Sequence, residues 1–154
     1  MCYRAVFFSF CIVAAQAVLA GDETVRITDA WVREAAPTQE VLAAYMRIHN
    51  DATDPRRITA LSSPEFRSVE MHRTVMQDGL ARMVPQPDIV IPAGGEVMLE
   101  PGGYHLMLIG PLQPLRAGNR ITIRLQFDTG LQQTVEAEVR RGDGSMADHE
   151  HPHH

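Results

Sequence analysis

Residues 120–139 read RITIRLQFDTGLQQTVEAEV, and they decide the fold. Ile121, Ile123, Leu125 and Phe127 alternate with Thr122, Arg124 and Gln126, the period of two that buries one face of a strand. Asp128-Thr129-Gly130 supplies turn residues, and residues 132–139 alternate again through Val135, Ala137 and Val139. Upstream the same grammar marks residues 24–33, 43–50, 58–61, 68–72, 79–84, 89–91, 97–99 and 104–109. Ser63-Pro64, Pro92-Ala93-Gly94-Gly95 and Pro101-Gly102-Gly103 punctuate them. Residues 39–46 are the one stretch with helical potential, and they lack a 3.6-residue stripe across two turns. Short strands with such breaks predict an all-β, antiparallel sandwich or small barrel.

Composition narrows the function. The chain has 154 residues with a formal net charge of −5, enough for one domain and one core. Its positive charge is all arginine, 14 against 19 carboxylates, so it lacks the basic surplus that releases phosphate counterions, and nucleic acid is excluded as a partner. Aromatic residues, at 6%, are too sparse for base-stacking platforms.

The first twenty residues, MCYRAVFFSFCIVAAQAVLA, place Arg4 before an apolar run and end on small residues. That is the layout of a secretory signal peptide over residues 1–20. Cys11 lies inside the apolar run behind Ser9 and Phe10, which argues against a lipoprotein cleavage site. Cleavage after Ala20 removes Cys2 and Cys11, and residues 21–141 form a domain without a thiol. A disulfide framework, a cysteine nucleophile and a blue-copper centre, which needs a thiolate, are thereby excluded.

From residue 142 onward the composition changes. Gly142-Asp143-Gly144-Ser145 is linker chemistry, and residues 142–154 have too little to bury to order themselves. Four of the seven histidines fall in the last six residues, broken up by Glu150 and Pro152 rather than set in the uninterrupted run of a cloning tag. Met146, His149, His151, His153 and His154 therefore form a candidate Cu(II) site, because imidazole suits that ion.

Three histidines remain in the domain, and two of them keep company with methionine. Ten residues separate His72 from Met83, and twenty-one separate Met83 from His105-Leu106-Met107. His105 and Met107, two apart on a strand, share a face. A hairpin around Gln77-Asp78-Gly79 brings His72 and Met83 together. Two imidazoles and two thioethers with no thiolate point to Cu(I), the soft ion that thioethers favour. His49 is read as a satisfied polar residue, and Met46 and Met98 as core filler.

These spacings, with Val69-Glu70-Met71-His72, Ile91-Pro92-Ala93-Gly94-Gly95 and Pro101-Gly102-Gly103-Tyr104-His105-Leu106-Met107-Leu108, resemble the periplasmic copper chaperones called PCu(A)C over nearly all of residues 23–140. The resemblance implies a cupredoxin-like antiparallel β-sandwich of Greek-key type. It implies Cu(I) ligation by His72, Met83, His105 and Met107. It also implies a periplasmic location and copper delivery to the CuA centre of cytochrome c oxidase, in concert with a Sco-type copper protein. One position departs from the pattern: many members carry Met directly after the first His, where this chain has Arg73, with Met71 and Met76 nearby. A copper-sequestering or resistance protein without a dedicated acceptor fits the same residues. An enzyme built on Glu65, Glu70 or Asp78 does not, since no nucleophile elbow, paired-carboxylate motif or cofactor loop accompanies them.

Overall fold

The computed structural model describes residues 24–142. The expected leader over residues 1–20 and the tail residues Met146, His149, His151, His153 and His154 lie outside them. Among the described residues there are ten strands and no helix. They are β1 (Val25–Arg33), β2 (Val41–Asn50), β3 (Arg56–Ser62), β4 (Phe66–Gln77), β5 (Leu80–Pro85), β6 (Ile89–Ile91), β7 (Glu96–Leu99), β8 (Tyr104–Pro111), β9 (Arg120–Phe127) and β10 (Gln132–Arg140). The alternation in residues 120–139 is realised as β9 and β10, antiparallel from Gln132↔Gln126 to Glu138↔Arg120. Ile121, Ile123, Leu125 and Phe127 are buried, and so are Ala137 and Val139.

The strands join in the order β5-β4-β8-β7-β2-β1-β10-β9-β3-β6. This ladder curls, for β3 packs against β4, and β6 lies against β2 and β7. Asn50, fully buried, ties the overlap: its amide donates to the carbonyls of Asp54, Ile91 and Pro92 at 2.9, 3.3 and 3.0 Å, and its oxygen accepts from Ala52 N–H. The core between the folded halves is aliphatic, drawing on Leu42, Ile48, Ile58, Leu106, Leu108, Ile121 and Leu125.

The sheet is mixed, which corrects the antiparallel expectation in two places. β1 runs parallel to β10, with Trp31↔Glu138 to Arg33↔Arg140 in register, because the last strand docks beside the first with the whole domain as its crossover. β7 and β8 also meet in parallel, through the single bridge Leu99↔Tyr104. Alternation within a strand carries no information on its neighbour's direction. β4 also runs five residues beyond the expected His72, since Arg73 to Gln77 pair with β5. The two central residues of that hairpin, Asp78 and Gly79, have φ of 53° and 76°, the type I′ pattern that matches strand twist.

Candidate metal centre

β2 is shared end to end by two strands. Its C-terminal half pairs with β7, from Met46↔Leu99 to His49↔Glu96, and its N-terminal half pairs with β8, from Val41↔Ile109 to Ala44↔Leu106. Opposite the single residue Tyr45 the chain inserts residues 100–105, an enlarged bulge. Pro101 and Gly102 form its tip, with Gly102 at φ 83° and Gly103 N–H donating to Glu100 O at 3.0 Å. Proline then a positive-φ glycine is what a type II turn demands. The bulge is pinned to β4 by Thr74 N–H donating to Gly103 O at 3.0 Å.

This excursion sets His105. Its Nδ1 lies 3.1 Å from Gly103 O. A carbonyl only accepts, so Nδ1 carries the proton and Nε2 presents a lone pair. His72 stands directly across the β4–β8 ladder, with Nε2 2.9 Å from Glu70 Oε2. A carboxylate likewise takes the proton-bearing nitrogen, which leaves the lone pair on Nδ1. Both rings are buried, and the two freed nitrogens, His72 Nδ1 and His105 Nε2, have no hydrogen-bond partner. Buried polar atoms are rarely left so, and two of them on directly paired rings suit a shared ligand. The ring centroids are 6.1 Å apart and tilted by 32°. With metal–imidazole bonds of about 2.0 Å, one ion between the rings fits that separation.

The methionines fall on the same side. Met71, Leu106 and Leu108 face the core, so alternation puts Glu70, His72, His105 and Met107 on the opposite face, with Glu70↔Met107 the next pair along. Met107, half-buried, also faces Ala43 of β2. Met83 is opposite Thr74, two residues beyond His72, and is 63% exposed. A cavity of about 260 Å³ opens here, with Arg33, Tyr45, Thr74, Met83, Pro101 and His105 among its lining residues. Burial pushes the Tyr45 phenol up from its usual pKa, and the Arg33 guanidinium, 5.7 Å from the ring, pulls it part of the way back. Among the described residues no three His, Cys, Asp or Glu side chains cluster as a metal site.

The remaining residues separate cleanly. Arg73 points away from His72, its guanidinium 5.0 Å over the Tyr104 ring, and Met71 is in the core. Met76, 71% exposed, shares the strand face of His72 and Thr74. His49 pairs with Glu96 at 3.1 Å and contacts Thr28 at 3.4 Å, as a satisfied polar residue. Met46 is core, but Met98 is not: at 40% exposed it lines a second cavity with Trp31 and Arg47. Sequence reasoning took Glu70 only as a candidate enzyme carboxylate. Its spacing of two from His72 on one strand was the available sign of their contact. Tyr45 and Arg33 carried no local sign, because the bulge that gathers them is a tertiary feature.

Comparison with known proteins agrees with this architecture. The family described as "Putative lipoprotein LpqE-like" matches residues 25–139. A protein of Leifsonia xyli subsp. xyli named "Putative lipoprotein Lxx21020" is 31% identical over 122 residues, 79% of this chain and 72% of that protein. The Cu(I) form of DR1885 from Deinococcus radiodurans, solved in solution, is 31% identical with a TM-score of 0.61, over 74% of this chain and 76% of that one. The copper-bound PCuAC domain from PmoF2 is 24% identical with a TM-score of 0.66, over 77% of this chain and 93% of that domain, and shares the fold. With β1 to β9 and nearly all of β10 inside the matched span, the chain belongs to the LpqE-like family and has the all-β, mixed-sheet fold of the PCuAC domains.

Proposed function

We propose that this protein is an extracytoplasmic copper chaperone that carries one Cu(I) between His72, Met83, His105 and Met107 and hands it to the CuA centre of cytochrome c oxidase, working with a Sco-type copper protein. The observation that carries the reading is the facing pair of buried imidazoles, each with one unpartnered nitrogen, on the sheet face that bears both thioethers. Copper is the cargo here. Thioethers hold Cu(I) without a thiol that an oxidising compartment would consume. Met83, on the hairpin that ends in β5, is the most exposed of the four, which suits it to exchange with an acceptor. The copper-bound relatives support the choice of metal.

The tail supplements this site in the same proposal. Gly142, the last described residue, packs against Arg33, so that a Cβ built on it would stand 3.3 Å from Nε. Arg33 lines the cavity beside His105. Met146, His149, His151, His153 and His154 are proposed as a second site that holds Cu(II).

The leader expected over residues 1–20 supports this location, and the lipoprotein names of the family and of the Leifsonia relative also speak for a place outside the cytoplasm. Mass spectrometry of the mature protein should find Gly21 at its N-terminus; a lipid-bearing Cys11 would replace free periplasmic release with a membrane anchor.

The function is tested by loading the protein with Cu(I), mixing it with an apo CuA domain and following the metal. X-ray absorption of the loaded form should show sulfur and nitrogen scatterers, and the copper should move. A shell of oxygen and nitrogen alone would defeat the site. Tight binding with no transfer to the CuA domain would make it a sequestering protein.

A further inference from the structure

We propose that Glu70 is a positioning residue that commits His72 to bind the metal through Nδ1, while the bulge commits His105 to bind through Nε2. One ion is then held by two imidazoles through different ring nitrogens. This rests on the copper reading above and extends it to how the site is set before metal arrives.

Each imidazole is oriented by its other nitrogen. His105 leans on the Gly103 carbonyl at 3.1 Å, a backbone group fixed by the type II turn and by its bond from Thr74 N–H. His72 leans on a side chain, the Glu70 carboxylate at 2.9 Å. Glu70 and His72 are two apart on β4, so strand alternation keeps them on one face. The imidazole of His72 is 9% exposed, whereas the Glu70 side chain is 50% exposed and open to solvent. Only the protonated ring nitrogen can donate to the carboxylate, and the remaining lone pair, on buried Nδ1, has no other partner.

The experiment uses the full mature chain with ¹⁵N-labelled histidine, at about pH 8, where unperturbed imidazoles are neutral. Long-range ¹H–¹⁵N spectra of the apo protein should show His72 protonated at Nε2 and His105 at Nδ1. Loading with diamagnetic Cu(I) should shift His72 Nδ1 and His105 Nε2. Glu70→Ala should randomise the His72 tautomer, leave His105 unchanged and lower Cu(I) affinity about 10- to 100-fold. Glu70→Gln keeps an acceptor oxygen and should restore the tautomer and most of the affinity. A thermal melt of each variant checks the fold. An Nδ1-protonated His72 in the apo protein, a copper shift on its Nε2, or undiminished affinity in Glu70→Ala would overturn the assignment. So would Glu70→Gln falling as far as Glu70→Ala. Copper that binds the wild type without moving either histidine defeats the copper reading itself; normal binding with the wrong His72 tautomer defeats only the role of Glu70.

Discussion

His105 has its Nδ1–H tied to Gly103 and its Nε2 unpartnered, on the sheet face turned away from Leu106 and Leu108. Truncating it removes a proposed ligand and leaves the aliphatic core whole. His105→Ala should therefore cost Cu(I) affinity at least about tenfold, while stability changes by about 1 kcal/mol. His49→Ala is the matched control. It loses the half-exposed pair with Glu96, about 0.2–1 kcal/mol, and should leave copper affinity unchanged. Competition titration and thermal melts measure both quantities, and equal affinity losses from the two variants would mean that histidine content alone binds the ion. At this scale the sequence was legible where chemistry and spacing coincide. His72, Met83, His105 and Met107 stand out as soft and borderline donors at strand-compatible intervals. Glu70 was half legible: its spacing from His72 was in view, but only the folded register shows that its oxygen meets Nε2 and not solvent. Met98 looked like core by residue type and is a surface residue, because it alternates with Val97 and Leu99, which face the core.

Among the elements, the period of two sufficed for strands and failed for direction. β9 and β10 could be read residue by residue, since one face meets the core and the other meets water. The partnering of β1 with β10 depends on the chain's two ends meeting, and no local pattern records that. The bulge between β7 and β8 was visible as Pro101-Gly102-Gly103, but as an ordinary turn. Its role comes from β2, which holds β7 and β8 end to end and makes residues 100–105 an insertion opposite Tyr45. That yields a test of the element as a whole. Gly102 and Gly118 both have positive φ, 83° and 91°, and a Cβ on either meets nothing within 4 Å. Alanine at each should thus cost similar stability, about 1–2 kcal/mol, through backbone strain alone. Only Gly102→Ala disturbs the turn that aims the Gly103 carbonyl at His105. It should weaken Cu(I) binding beyond its stability cost, and Gly118→Ala should not. Equal copper affinities in the two folded variants would detach the bulge from the site.

On the scale of the whole molecule, one chain would serve two oxidation states of one metal. The soft, thioether-bearing face suits Cu(I), and the tail imidazoles suit Cu(II), whose tetragonal nitrogen and oxygen geometry they can help to complete. The contact of Gly142 with Arg33 starts the tail beside the cavity and not at the far end of the fold. Proton competition separates the two sites. An imidazole binds metal only when neutral, and its unperturbed pKa is about 6.5, so Cu(II) affinity at a four-histidine tail should fall steeply as the pH drops through that value. The core has two histidines, and its thioethers take up no proton, so its Cu(I) affinity should fall less over the same range. Truncation after Arg141 tests the division. The shortened chain should keep its Cu(I) stoichiometry and its melting temperature, because β10 ends at Arg140 and the core lies wholly upstream. It should lose its Cu(II) capacity, measured by titration at neutral pH. Full Cu(II) binding by the truncated chain would return that ion to the domain and leave the tail without a part in copper handling.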